Sequence, residues 1–216
     1  MHGRTLDVGC GHGEYTCRWA DYADEVVGYD MTEGFLATAN RLYRKPNVRY
    51  VLGRTHDGLP FENDYFDFAY TKKGPTSWYP EAARILRPGA ELLALHPGDG
   101  NGEGGELGAI FPGLFGPPEP GTPILDRIRQ RMAEGSLRIL DMQVLRETTC
   151  IPTPEDILAM VCFGQSESFA RWVKAQCYDD IQRRFEHHRD ESGIRCTGFY
   201  YLIHAKSPNG PGADYR

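Results

Sequence analysis

The sequence predicts an α/β fold: a doubly wound, mostly parallel seven-stranded sheet with helices on both faces and a C-terminal helical and loop lid insert. Three observations predict it. Apolar residues alternate between a period of two and a helical period from Thr5 to His96, the rhythm of βαβ units. The apolar run Thr5–Val8 opens directly into Gly9-x-Gly11-x-Gly13, a strand feeding a glycine loop. Two further strand-like runs, Leu137–Thr149 and Arg195–Lys206, follow a stretch crowded with Gly and Pro.

Taken in order, Thr5–Val8 is the first strand, and Glu14–Ala23 is a helix with Tyr15, Trp19, Ala20 and Ala23 at helical spacing. Glu25–Asp30 is the second strand. Thr32 can cap a helix whose apolar face is Phe35, Leu36, Ala39, Leu42 and Tyr43. Val48–Leu52 and Phe66–Thr71 are the third and fourth strands. Tyr79–Leu86 is a helix ended by Arg87-Pro88-Gly89, and Glu91–His96 is the fifth strand. Gly98–Pro123 reads as loop with at most a short helix near Leu107–Leu114. Helices are expected at Ile124–Glu134, Pro154–Phe163 and Glu167–Arg189, and the tail Ser207–Arg216 is expected to fray.

Composition bounds the function. The 216 residues suffice for one domain with room for an insert, and 40% apolar with 25% charged residues is ordinary for a soluble globular chain. Apolar stretches are strand-sized, so neither a transmembrane helix nor a signal peptide is read, and a cytoplasmic location is expected. A net charge of −6 disfavours broad nucleic-acid binding. The six cysteines form no CxxC pair, so no metal site is expected and reduced thiols that serve packing are the simplest reading.

In an open parallel sheet, ligands bind beyond the carboxyl ends of the strands, where a glycine loop brings bare backbone and a helix N-terminus to them. A dinucleotide fingerprint is not met, because Glu14 stands where its last glycine is needed. A P-loop is not met either, because no Gly-Lys-Ser/Thr follows. Asp7, just before the glycines, suits a cationic amino group better than a pyrophosphate.

Asp7-Val-Gly9-Cys-Gly11-His-Gly13 resembles the acid-x-Gly-x-Gly-x-Gly loop of class I S-adenosylmethionine-dependent methyltransferases. Further segments match in the same order. Asp30 ends the second strand, Leu59-Pro60-Phe61 precedes Phe66-Asp67, and Glu81–Gly89 resembles the family's E-x-x-R-x-L-K-P-G-G turn with Ala90 for the last glycine. The resemblance covers about residues 4 to 97. It implies S-adenosyl-L-methionine as cofactor, S-adenosyl-L-homocysteine as product, and a binding set of Asp7, Gly9, Cys10, Gly11, Gly13, Asp30, Met31, Thr55, His56, Asp57 and Thr71. Asp30 would take the ribose hydroxyls, and the Thr55-His56-Asp57 loop would meet the adenine. Family members usually carry an N-terminal segment that helps cover cofactor or substrate. This chain starts at the first strand, which leaves a shortened chain or another covering element as alternatives.

On this reading residues 1–206 form one methyltransferase domain. Residues 1–97 are its cofactor half, 98–190 its substrate-side lid and helices, 195–206 its last strand, and 207–216 a flexible tail. The family has no universal catalytic residue, because a sulfonium methyl is already activated. Tyr70, Thr71, Lys72, His96 and Asp99, at or beyond strand ends, are candidates, with Tyr70, Lys72 and His96 foremost. Asp67 and the pair His187-His188 read as structural and solvent-facing. The first expected acceptor is a small molecule. The alternatives are an RNA base, gripped by Lys72, Lys73 and the Arg127/Arg129/Arg131 cluster, and a silent cofactor-binding partner subunit. The oligomeric state is open.

Overall fold

The computed structural model describes residues 3–209. Its elements are β1 (Arg4–Val8), α1 (Glu14–Arg18), β2 (Glu25–Asp30), α2 (Glu33–Leu42), β3 (Val48–Leu52), β4 (Phe66–Lys72), α3 (Tyr79–Ile85) and β5 (Leu86–Pro97). They continue with α4 (Glu106–Ile110), α5 (Pro123–Glu134), β6 (Arg138–Ile151), α6 (Pro154–Cys162), α7 (Glu167–His188) and β7 (Ile194–Lys206). The strands form one seven-stranded sheet in the order β3-β2-β1-β4-β5-β7-β6. β1 through β5 pair in parallel, and β7 runs antiparallel to β5, with Leu202 opposite Leu95. The chain winds outward from β1 through β2 to β3 and then returns to lay β4 on β1's other side. That reversal is a topological switch point, where a crevice opens beyond the carboxyl ends of the strands.

Contacts divide the chain into two compact units. The first comprises the described residues up to Pro97, Ile124–Val144 and those from Tyr200 onward; the second comprises Gly98–Pro123 and Leu145–Phe199. In the first unit, alternate strand residues turn to opposite faces. Val27 and Tyr29 of β2, Leu92 and Ala94 of β5, and Tyr201 and Ile203 of β7 face one core, which Tyr79, Ala82 and Ile85 of α3 and Leu125, Ile128 and Met132 of α5 complete. Val26, Leu36 and Ala39 are buried outside that cluster. The second unit has its own core of Leu107, Phe111, Ile151, Ile157, Ile181, Phe185 and Ile194. Thus α5, expected within the 98–190 insert, packs into the sheet unit instead, because its Leu125, Ile128 and Met132 stripe is apolar at helical spacing.

Two expected helices differ in detail. The α-helical turn of α1 gives way to a 3-10 turn at Trp19–Tyr22, and Tyr15 and Trp19 are each 37% exposed rather than core. In α2 only Leu36 and Ala39 of the expected face are buried, while Phe35 and Leu42 are exposed. The start of the expected fraying tail is held: Ser207 is buried, its N–H donates to Ala90 O, and Gly89 N–H donates to Pro208 O. The rest of that tail, 210–216, lies outside the described residues. All six cysteines are free thiols, but none is fully buried and Cys150 is exposed, so packing does not account for that one. Among the described residues no helix is long and apolar enough to cross a membrane, and no cluster of His, Cys, Asp and Glu is placed to hold a metal.

Candidate functional site

A cleft with a cavity volume of about 560 Å³ opens beyond the carboxyl ends of β1, β2, β3 and β4. Four loops build it: Gly9 and Gly11 after β1, Asp30 and Met31 after β2, Gly53–His56 after β3, and Lys73–Ser77 after β4. A volume of this size lies within the range of small-molecule and cofactor sites.

The three glycines serve three different ends. A Cβ on Gly9 would lie 2.8 Å from Gly74 Cα, so this glycine lets the loops after β1 and β4 touch. A Cβ on Gly13 would lie 2.5 Å from the Tyr50 hydroxyl and 2.8 Å from Ala39 Cβ, so this one lets α1 start close against β3 and α2. Gly11, at φ +55°, would meet nothing within 4 Å, and it lines the cleft. Of the three, Gly11 alone leaves its side open to a ligand.

Asp30 fixes this loop. Its Oδ2 accepts from Gly11 N–H at 2.9 Å and its Oδ1 from Thr32 N–H at 2.8 Å. A carboxylate offers about four lone-pair sites, so both oxygens keep accepting capacity toward the cleft they line. Met31 and Phe35 add an apolar wall, the His12 ring packs 4.3 Å from that of Phe35, and Thr55 pairs with Ser77 through their hydroxyls.

Other expected members of the binding set stand behind this wall. Asp7 is 2% exposed, and its Oδ2 accepts from Thr16 Oγ1 at 2.7 Å and from Tyr70 OH at 2.8 Å. It does not line the cleft, and its hydrogen-bond partners within the chain are these two hydroxyls. Burial pushes its carboxyl up to about 6, against the lowering pull of the Thr16 and Tyr70 hydrogen bonds. Cys10 lies over Gly28, and burial pushes its thiol up, followed by the nearby charges of Asp7 and Asp30, which favours the neutral thiol over the thiolate. Thr71 is buried with its hydroxyl donating to Val8 O, which ties β4 to β1. Asp57 N–H closes the turn onto Arg54 O, and its side chain does not line the cleft.

The candidate catalytic groups separate as well. His96 is 2% exposed, with Nε2 2.6 Å from the Tyr79 hydroxyl of α3. Burial lowers its pKa to about 4, so the imidazole is neutral at physiological pH, but it lines neither the cleft nor the smaller chamber beside it. Strand alternation explains this: Leu92, Ala94 and His96 point to the core face. Tyr70 and Lys72 turn the opposite way and line that smaller chamber, with the Lys72 ammonium 3.3 Å from the centre of the Tyr15 ring.

Sequence reasoning missed several cleft residues. Phe35 is read from the sequence as part of a helix's apolar face, and helical spacing does not tell a core face from a cleft wall. Lys73 adopts φ +59° and sends Nζ to within 3.2 Å of the Tyr200 hydroxyl, and Gly74 follows because a Cβ there would meet Thr71 Oγ1 and Val8 O. The Lys73-Gly74-Pro75 run was the available signal, since Gly-Pro marks a tight turn.

Residues 6–94 match a family model described as a methyltransferase domain. A 99-residue stretch is 34% identical to the 27-O-demethylrifamycin SV methyltransferase of Amycolatopsis mediterranei, covering 41% of this chain and 36% of that one. The matched stretch spans about a third of the length of this and a similar curated relative. Among solved structures, the YcgJ protein of Bacillus subtilis superposes with a TM-score of 0.61 at 18% identity, over 96% of this chain and 92% of that one. The [4+2]-cyclase SpnF superposes with a TM-score of 0.60 at 19% identity, over 96% and 75%.

Proposed function

Residues 6–94 of this chain belong to the class I S-adenosylmethionine-dependent methyltransferase family, and on that premise we propose that the chain transfers a methyl group from S-adenosylmethionine to a small-molecule acceptor. The observation that carries the proposal is the pairing of Gly11 with Asp30. The one glycine of the three in this loop whose side faces open space is hydrogen-bonded to the carboxylate that ends β2, and both line one cleft.

The residues fit such a cofactor. Asp30, with lone pairs to spare, suits a ribose diol; Met31 and Phe35 suit an adenine face; Thr55 and His56 suit its polar edge. When bound, the cofactor supplies a methyl already activated on sulfonium. The chain's own task is then to bind, to orient the acceptor's nucleophile in line and to keep water out. A general base is needed only where the nucleophile must lose a proton, and His96, turned to Tyr79, is not offered for that role.

A small-molecule acceptor is favoured over RNA on two grounds. The net charge is −6, and the Arg131 guanidinium of the expected basic cluster is engaged by the Thr76 hydroxyl. The similar protein of Amycolatopsis bears the name of a methyltransferase of 27-O-demethylrifamycin SV. A second reading, cofactor binding without methyl transfer, has one observation behind it: a [4+2]-cyclase shares this fold.

Calorimetry with S-adenosylhomocysteine and with NAD tests the cofactor. Saturable binding of the first and none of the second is expected, and the reverse overturns the reading. Incubation with methyl-labelled cofactor and a cell extract tests the acceptor. Label in the small-metabolite fraction is expected; label in RNA, or in nothing, favours the respective alternative.

A further inference from the structure

Beside the cleft, the first unit holds a second, smaller cavity of about 210 Å³. It lies on the sheet face opposite the α3 and α5 core. Phe68, Tyr70 and Lys72 of β4, Leu93 and Leu95 of β5, and Leu202 of β7 project to it as alternate residues of neighbouring strands. Tyr15 and Trp19, one helical turn apart after the glycine loop, form its side wall. We propose that this chamber binds a small apolar molecule carrying a single anionic group, at a site distinct from the glycine-loop cleft.

The chemistry of the walls argues for that class of ligand. Apolar side chains supply the wall surface, and Leu93 stays 41% exposed although strand alternation brings it alongside Leu95 and Phe68. An aromatic or aliphatic body would cover that surface and remove it from water, which favours binding. The two hydroxyl-bearing residues of β4 offer it little. Tyr70 OH donates to Asp7, and Thr71 Oγ1 donates to Val8 O. Tyr15 and Trp19 add a hydroxyl and an indole N–H, and the Lys72 ammonium is the only charge among the lining residues. It lies 3.3 Å from the centre of the Tyr15 ring, an arrangement that holds a cation at the apolar wall. The buried Asp7 carboxyl, which feels the Lys72 charge, already accepts from Thr16 and Tyr70. Lys72 is exposed, so a carboxylate or comparable anion entering with an apolar body would meet its ammonium at the solvent-facing rim, where the charge pair adds modestly to the apolar contact. Apolar cavities of roughly 150 Å³ take benzene, so this chamber has room for a substituted ring or a short chain whose anion reaches its rim.

The test uses a pair of probes alike in body and unlike in charge: 1-naphthoate and 1-naphthylmethanol, each titrated into the full chain by calorimetry. Naphthoate is expected to bind one saturable site about threefold more tightly than the alcohol. Lys72→Met should remove that advantage and leave the alcohol unchanged, while Trp19→Ala should weaken both. S-adenosylhomocysteine should not displace naphthoate. Equal affinity for the two probes, indifference of naphthoate to Lys72→Met, or competition by S-adenosylhomocysteine overturns the proposal. Because no turnover is read, naphthoate binding without S-adenosylhomocysteine binding would sink the proposed methyl transfer alone, and the converse would sink this site alone.

Discussion

Gly11 and Gly13 stand two residues apart in one loop, yet a methyl group added to each meets opposite surroundings. At Gly13 it would meet the Tyr50 hydroxyl at 2.5 Å, on a backbone at φ +83°. Gly13→Ala should therefore cost roughly 2–4 kcal/mol of folding stability, read by urea denaturation. Gly11→Ala meets open space and carries only its φ of +55°, so about 1 kcal/mol of stability is expected, together with a marked loss of S-adenosylhomocysteine affinity. If Gly11→Ala binds as the parent does, the ligand does not approach this loop. Asp7 gives a second contrast. Its folded carboxyl is raised from 3.8 to about 6, chiefly by burial. A raised acid stabilises the fold fully below its unfolded pKa and loses that contribution as pH rises through the folded one. Between about pH 4 and pH 6, stability should fall by up to about 3 kcal/mol relative to Asp7→Asn, whose amide oxygen can still accept from Thr16 and Tyr70. Parallel pH profiles of the two proteins would refute the assignment. The motif made Asp7 legible as a special residue. Its partners were not legible, since Thr16 and Tyr70 reach it only once α1 and β4 flank β1.

Among the elements, every strand expected from the sequence is present, β1 and β2 as continuous buried runs and β5 with alternating burial. β5 extends further back than expected, to Leu86, since the Arg87-Pro88-Gly89 turn that ends α3 continues straight into the strand. Burial was less legible than periodicity. Tyr15, Trp19 and Phe35 sit at spacings that fit a core, but they line cavities, and a single sequence gives a cavity wall and a core face the same pattern. The long helix α7 depends on its ends more than on a strong apolar stripe. Val173, Ile181 and Phe185 are its only fully buried residues, and Ser166 caps it by accepting from Phe169 N–H at 3.2 Å. Ser166→Ala should cost about 1 kcal/mol and speed hydrogen exchange at Phe169 and its neighbours. Unchanged exchange there would show that the cap contributes nothing.

At the scale of the molecule, the two buried clusters share no residue: one belongs to the sheet unit and the other to the unit of Gly98–Pro123 and Leu145–Phe199. The sequence marked this second region by its Gly and Pro content and its helices. It did not mark how the chain is divided, because α5 returns to the sheet core and β6 and β7 each contribute residues to both units. Separate cores mean that local opening need not be uniform, and regions with their own packing can lose protection as units. Phe185 is 1% exposed and packs in the second core. Phe185→Ala removes a whole aromatic ring there, a loss of about 3–5 kcal/mol for such a site. The expected result is faster hydrogen exchange across Leu107–Phe111, Ile157 and Ile181, with the amides of Val26–Tyr29 and Leu92–Ala94 still protected. S-adenosylhomocysteine binding, which the proposal assigns to the loops of the sheet unit, should then persist in the variant. Equal loss of protection in both sets of amides would mean that the chain opens as one cooperative body despite its two cores. Any fall in ligand affinity would then report global unfolding instead of damage to the cleft.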